Sequence, residues 1–357
     1  MTYKTFTRRS FLTGAALASA SLVARAGSAA PNPADVRRAG SAQRTRQAEF
    51  RFTQYHNQTA EGSLHKRLSE MWAAIDKETN GRVEAQIFPL NNKVEGSDPA
   101  AFKMLIAGEI QFFTLMGGLI GAVVPVAEIQ QVPFAFKSAP HAHQVVDGAL
   151  GAYIREEAAA KGIHLFPVAA FDNGMRQMTP VAKPIVVPAD LKGMRMRVPA
   201  GQMFDDMFRT LGCVPVTINS IDIYAALKSG KADAQENPLA LVDGFKLYEV
   251  IKYVSMTNHM WSGFNQMAHL PTWRRLPADL QQIIERNVTR AVRLQRQDQG
   301  AANARLRAEL EKRGLVFNDV DQAPFRRQLS GFYKTWKQKL GSKAWSLLEQ
   351  GAGSTLA

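Results

Sequence analysis

Along the chain the period of the apolar positions keeps changing. Residues 49–55 (EFRFTQY) alternate apolar and polar, as a strand does. Residues 63–80 then place Leu64, Leu68, Met71 and Ile75 at three- and four-residue spacing, one apolar stripe on a helix that Gly81 closes. Residues 82–88 (RVEAQIF) read as the next strand. Asp98 is positioned to cap a helix with Pro99 at its first turn, running through Phe102, Leu105 and Ile106 to Gly108. Residues 109–116 (EIQFFTLM) return to a strand pattern. Such a β-α-β-α-β order with short loops predicts a largely parallel sheet covered by helices on both faces, with ligands at the carboxyl ends of its strands.

A second set follows. Strands are expected at 165–171, 194–198, 214–218 and 232–235, with a helix through Ile223, Leu227 and Lys228 that starts at Asn219 or Ser220 and stops at Gly230. Residues 272–313 are charged and helix-forming, with a break at Pro277, and a helix of that length can brace two lobes. The tail, 322–348, is amphipathic through Phe325, Leu329, Phe332, Trp336 and Leu340. From residue 49 onward the chain is too long for one small domain and fits two lobes.

The amino-terminal end changes the picture. Arg8 and Arg9 lie in TRRSFL, ahead of a mildly apolar run at 15–24 and small residues near Ala30. The order matches a removable twin-arginine export signal over 1–30. Residues 31–48 are polar and without periodicity, and read as a disordered leader. No later stretch approaches the ~20 apolar residues of a membrane span. Cys213 is the sole cysteine, so no disulfide can form within the chain. The formal charge is +13, and without the four basic residues before Pro31 it is +9. A basic chain suits an acidic ligand. Its lysines and arginines are scattered, without the basic helix or aromatic platform of a nucleic-acid binder.

The stretch LKGMRMRVP (191–199) carries the sharpest candidate chemistry. In a strand, Met194, Met196 and Val198 face one way and Arg195 and Arg197 the other. Arginine presents a planar fork of donors that matches a carboxylate. Arg197 is the last charge before Pro199, at the end where a cleft is expected. Arg195 lies deeper, and alternation alone does not separate the two.

Five segments, NGMRQ (173–177), DLKGMRMRVP (190–199), YAAL (224–227), DAQENPL (233–239) and TNH (257–259), follow one another in an order and spacing that resemble the solute-binding proteins of TRAP transporters, the DctP type. The resemblance implies an α/β fold of two lobes with a cleft between them and a long helix spanning both. It implies lobe I at 49–173 and 263–302, and lobe II at 174–262 and 303–357. It further implies closure on an organic anion and delivery to membrane permease subunits from the periplasm, without catalysis; no cofactor and no metal-ligating residue is assigned. Through matching positions it nominates Arg197 as the carboxylate arginine, Arg176 as a second arginine and Asn237 as an amide contact. Trp261, near a lobe crossing in the family, could wall the pocket, which would suit a monocarboxylate with an aromatic or other apolar tail, such as a 2-oxo or 2-hydroxy acid. Phe113, Tyr55 and His259 complete the candidate ligand set. Arg195 is read as a solvated or structural charge, and Glu236 is given no ligand role.

Other chemistry is not supported. His141 and His143 are two apart on a predicted helix and do not face one way. GGLIG (117–121) lacks the lysine of a phosphate loop and the full dinucleotide pattern. The sequence contains no G-x-S-x-G or H-E-x-x-H. An exported enzyme acting on small organic acids, or a ligand-sensing subunit of a membrane receptor, are the alternatives to a transport protein.

Overall fold

The computed structural model describes residues 48–356, so the twin-arginine segment and nearly all of the leader lie outside the described residues. Helices α1 (Ser63–Glu78), α2 (Ser97–Ala107), α3 (Gly117–Ile120), α4 (Ala139–Asp147) and α5 (Ala149–Ala159) accompany strands β1 (Phe50–His56), β2 (Val83–Phe88), β3 (Phe112–Met116) and β4 (Ile163–Pro180). Next come β5 (Arg195–Val198), α6 (Gln202–Thr210), β6 (Val214–Thr217), α7 (Ile223–Lys228), β7 (Ala234–Asn237), α8 (Leu239–Gly244) and β8 (Tyr253–His269). The chain closes with α9 (Leu270–Arg274), α10 (Ala278–Lys312), β9 (Val316–Asp319), α11 (Ala323–Gln328), α12 (Ser330–Leu340) and α13 (Ser342–Ala352).

One sheet runs β2-β1-β3-β8-β4-β7-β5-β6, with β9 beside β8. It is mixed rather than largely parallel. β1 pairs β2 and β3 in parallel, and β5 pairs β6 and β7 in parallel, but β8 runs antiparallel to β3 and β4, and β7 antiparallel to β4. The two long strands make the fold. β8 joins β3 through Phe264–Ala268 and β9 through Tyr253–Met256, and β4 reaches β7 with its last residues, Gln177–Pro180. Each strand therefore belongs to both halves of the sheet. Periodicity missed most of them because they are buried almost throughout, which erases the polar positions alternation needs.

Both halves carry helices. Leu64, Leu68, Met71 and Ile75 of α1 are buried, as their spacing requires, and Trp72 of the same helix packs on Phe52 of β1 and Phe112 of β3. A second apolar cluster lies entirely in the other half, joining Ile223, Leu227, Leu239, Val242 and Val254 to Leu306 and Leu310 of α10. The expected break at Pro277 separates α9 from α10. With 35 residues, α10 extends ~50 Å and runs past both halves. Its Gln295 holds β4 where the strand bulges: the amide accepts from Asp172 N at 2.7 Å and donates to Asp172 O at 2.8 Å. Gly174 follows with φ +98°, and a side chain there would press on Asn303 of α10 and on Pro238.

Candidate functional site

The carboxyl ends of β1, β5 and β7 meet between the two halves, and the candidate site is built from them. On β5, Met196 and Val198 are fully buried on one face, so Arg197 is turned to the other. Only 2% of Arg197 is exposed. Its Nε and Nη2 donate to the backbone carbonyl of Ile218 at 2.8 and 2.5 Å. Among the described residues no carboxylate pairs with it. Burial pushes its pKa down to about 9, the direction expected of a cation stripped of water, against the upward pull of Glu236 and Asp98. Arg195, two residues earlier, is instead half-exposed and paired with Asp233. The ambiguity between the two arginines is resolved by environment: one is satisfied at the surface, the other buried and uncompensated.

Arg176 is buried as deeply, but every nitrogen has a protein partner. It pairs with the Glu236 carboxylate, donates to Glu236 O at 2.8 Å and to Asn237 Oδ1 at 3.0 Å, and reaches Ser262 Oγ at 3.3 Å. Its guanidinium lies over the ring of Phe204 at 5.3 Å. Burial alone would raise the Glu236 carboxyl, yet Arg176 and His259 hold it below the ordinary value. His259 lies 3.2 Å from the Glu236 carboxylate through Nε2, and 2.8 Å from Thr257 Oγ1 through Nδ1. Burial keeps its pKa low, so the ring is neutral, with Nε2–H donating to Glu236 and Nδ1 accepting from Thr257. Asn237 passes the network on, donating Nδ2 to Gln235 Oε1 beside Arg197 on the neighbouring strand. Arg176, Asn237 and His259 thus come together, and Glu236, to which no role was given, is their hub.

The opposite wall holds residues that sequence reasoning missed. Asp98 was expected to cap α2. The helix begins two residues earlier, at Ser97 with Gly96 in the cap position, and the Asp98 carboxylate turns inward instead. It accepts from Asn57 Nδ2 at 3.0 Å and Asn91 Nδ2 at 2.6 Å, and burial raises its pKa. Arg197 and Asp98 feel each other's charge but form no direct ion pair. Asn91 Oδ1 is buried with no hydrogen-bond partner. Asn57 follows the last residue of β1, and the strand-end rule pointed at its neighbourhood. Asn91 has φ 50° within a run of left-handed residues, which no pattern foretold. Gln58 joins this wall through Asn57 Oδ1, whereas Glu61 is solvent-exposed.

The aromatic candidates lie elsewhere. Trp261 is fully buried, donates Nε1 to Asp172 at 2.9 Å and packs edge-on against Phe136 and His143. Its neighbour Ser262 faces Arg176, so alternation turns Trp261 away from the arginines. Tyr55 packs on Phe88 at 4.9 Å. Phe113 is opposite Tyr55 in the ladder and fully buried, while Phe112 packs on Trp72 and Phe52 across the sheet. No hydrogen bond or ring contact joins Trp261, Tyr55 or Phe113 to Arg197, Arg176 or Asn237.

A cavity of about 80 Å³ remains between the halves, lined by Gln58, Asn173, Leu241, Phe264 and Gln299. A wider groove of about 780 Å³ at the β2 edge is open to solvent, and its one arginine, Arg51, already faces Glu84. Among the described residues no cluster of side chains could hold a metal ion, and no helix is long and apolar enough to cross a membrane.

Residues 55–339 match the family model described as bacterial extracellular solute-binding protein, family 7. The chain is 30% identical over 271 residues, 76% of its length, to a solute-binding protein of Roseobacter denitrificans, covering 82% of that protein. It is 26% identical over 264 residues to the 2,3-diketo-L-gulonate-binding periplasmic protein of Escherichia coli, covering 74% of this chain and 79% of that one. A crystal structure of a TRAP periplasmic solute-binding protein from Roseobacter denitrificans with bound β-D-glucuronate superposes with a TM-score of 0.81 at 26% identity, over 85% of this chain and 99% of that one.

Proposed function

Because the chain belongs to family 7 of the bacterial extracellular solute-binding proteins, the binding components of TRAP transporters, we propose that it closes on the carboxylate of a small organic acid through Arg197 and hands that acid to a membrane permease. Proteins of this family bind their substrates and do not transform them. The observation that carries the proposal is the state of Arg197. A buried ion costs several kcal/mol when left without a partner. Arg176 has its carboxylate in Glu236, Arg195 has one in Asp233, and Arg197 has only a backbone carbonyl. A ligand carboxylate supplies the missing charge and fits the planar fork.

The proposal places Arg176, Asn237 and His259 beside the carboxylate as the frame that fixes the strand ends. It takes 49–173 with 263–302, and 174–262 with 303–357, as the lobes that close, and the periplasm, reached by the twin-arginine signal, as the place of work. An aromatic tail on the ligand depended on Trp261 walling the cleft. The wall opposite Arg197 is instead made of Asp98, Asn57 and Asn91, with an acceptor in want of a donor. That surface supports a hydroxylated acid over an apolar-tailed one. The relatives named for diketogulonate and holding glucuronate point the same way. A thermal-shift screen of organic acids, each beside its neutral amide or alcohol, tests the reading. A ligand that binds only the native state raises the melting temperature by mass action, so some acid must stabilise the protein where its neutral analogue does not. Stabilisation by neutral compounds alone would reject the carboxylate.

A further inference from the structure

The glycine-rich stretch after β3 has a structural explanation that leads to a functional one. The chain leaves β3 into α3, then doubles back as a 3-10 turn, Pro125–Gln131. The returning side chains lie directly on the glycines. A Cβ on Gly117 would stand 2.8 Å from Gln130, and one on Gly121 only 2.2 Å from Glu128 Cγ. This close fit pushes Glu128 out toward α6, which follows Arg197 on the other half of the sheet. There the Glu128 carboxylate accepts from the backbone N–H of Met203, in the first turn of α6, at 3.1 Å. No side chain of α6's own caps that end. One residue on, Phe204 occupies a notch between Gly118 and Gly201, where a Cβ on either would come within 3.4 Å of its ring, and its face carries Arg176.

We infer that Glu128 is a positioning residue for ligand capture: it clasps the amino end of α6 across the two halves, and so favours the closed arrangement in which Arg197 and Arg176 are buried. The first N–H groups of a helix want an acceptor oxygen, which a neutral carboxyl supplies as well as an ionised one, but this acceptor comes from the other half of the molecule. The charged groups facing Glu128 are Asp206 of α6 and Lys339 of α12, which are paired with each other at 3.0 Å. Burial raises the Glu128 carboxyl to about 7, against the opposing pulls of Met203 N–H and Lys339. When the halves part, the carboxyl meets water and returns toward its ordinary value. Closure therefore takes up a proton: it is most favoured below the ordinary carboxyl value, weakens as pH rises from there to about 7, and no longer changes with pH above that.

The inference rests on the two halves moving, as the proposed function requires, but its test needs no ligand. Small-angle X-ray scattering is recorded on the ligand-free full chain at pH 6 and pH 8.5, with circular dichroism confirming the fold. The wild type is expected to be more compact at pH 6. Glu128→Gln, which keeps an acceptor for Met203 and cannot ionise, should be compact at both values. Glu128→Ala should be extended at both. A radius of gyration independent of pH in the wild type, or the same in Glu128→Ala as in the wild type, would overturn the inference. A chain that opens as described but stabilises with no acid would instead count against the carboxylate reading alone.

Discussion

Arg176 and Arg197 are both 2% exposed and lie within reach of each other's field, yet they are opposite cases. Arg176 is closed in by Glu236, Asn237 and Ser262. Arg197 is held by one carbonyl oxygen and opposes a carboxyl that it does not touch. The difference separates a cation that the fold needs from a cation that the ligand needs. Burial alone does not distinguish them, and the inventory of partners does.

The comparison breaks most visibly at Arg176. Arg176→Met strands the Glu236 carboxylate in the interior and should cost ~3–5 kcal/mol of stability, read from urea unfolding of the ligand-free protein. The same ion pair depends on pH. Since Glu236 is held below its ordinary value, its contribution is complete above that value and is lost as acid protonates it in the folded state. Arg197→Met should instead leave ligand-free stability unchanged or raised, because it removes an uncompensated charge. Its effect belongs to binding. Arg197→Ala should weaken capture at least ~100-fold by calorimetry, with lysine a partial rescue.

On the facing wall, Asp98→Leu should reduce affinity for a hydroxylated acid by about tenfold, the scale of one hydrogen bond left unmade, in the same titration. The smallest effect is expected at Arg195. Arg195→Ala breaks a half-exposed pair at the far end of the strand and should leave affinity unaltered. An equal loss in Arg195→Ala and Arg197→Ala would erase the distinction that the strand ends impose.

What the sequence made legible follows from where each signal originates. Helix α1, the break at Pro277 and the shared face of Arg195 and Arg197 come from local periodicity, and local periodicity reports them faithfully. β8 and the far half of β4 are buried on both sides, and so carry no alternation to read. Asp98 beside Pro99 looks like a helix cap, and only the fold reveals that its partners are Asn57 and Asn91, 41 and 7 residues away. The resemblance puts Trp261 near a lobe crossing. Which face it takes is decided by register with β4, and register is a tertiary property. The stretch GGLIG lacks the lysine of a phosphate loop, and its role as a bed for Gln130 and Glu128 appears only when the chain folds back.

The central claim is that Arg197 is the unpaired cation awaiting a carboxylate. Its most direct test is a thermal-shift comparison of wild type, Arg197→Met and Arg195→Ala across one panel of organic acids. The account predicts that the acid stabilising the wild type also stabilises Arg195→Ala and leaves the melting temperature of Arg197→Met unmoved. An equal shift in Arg197→Met would contradict it.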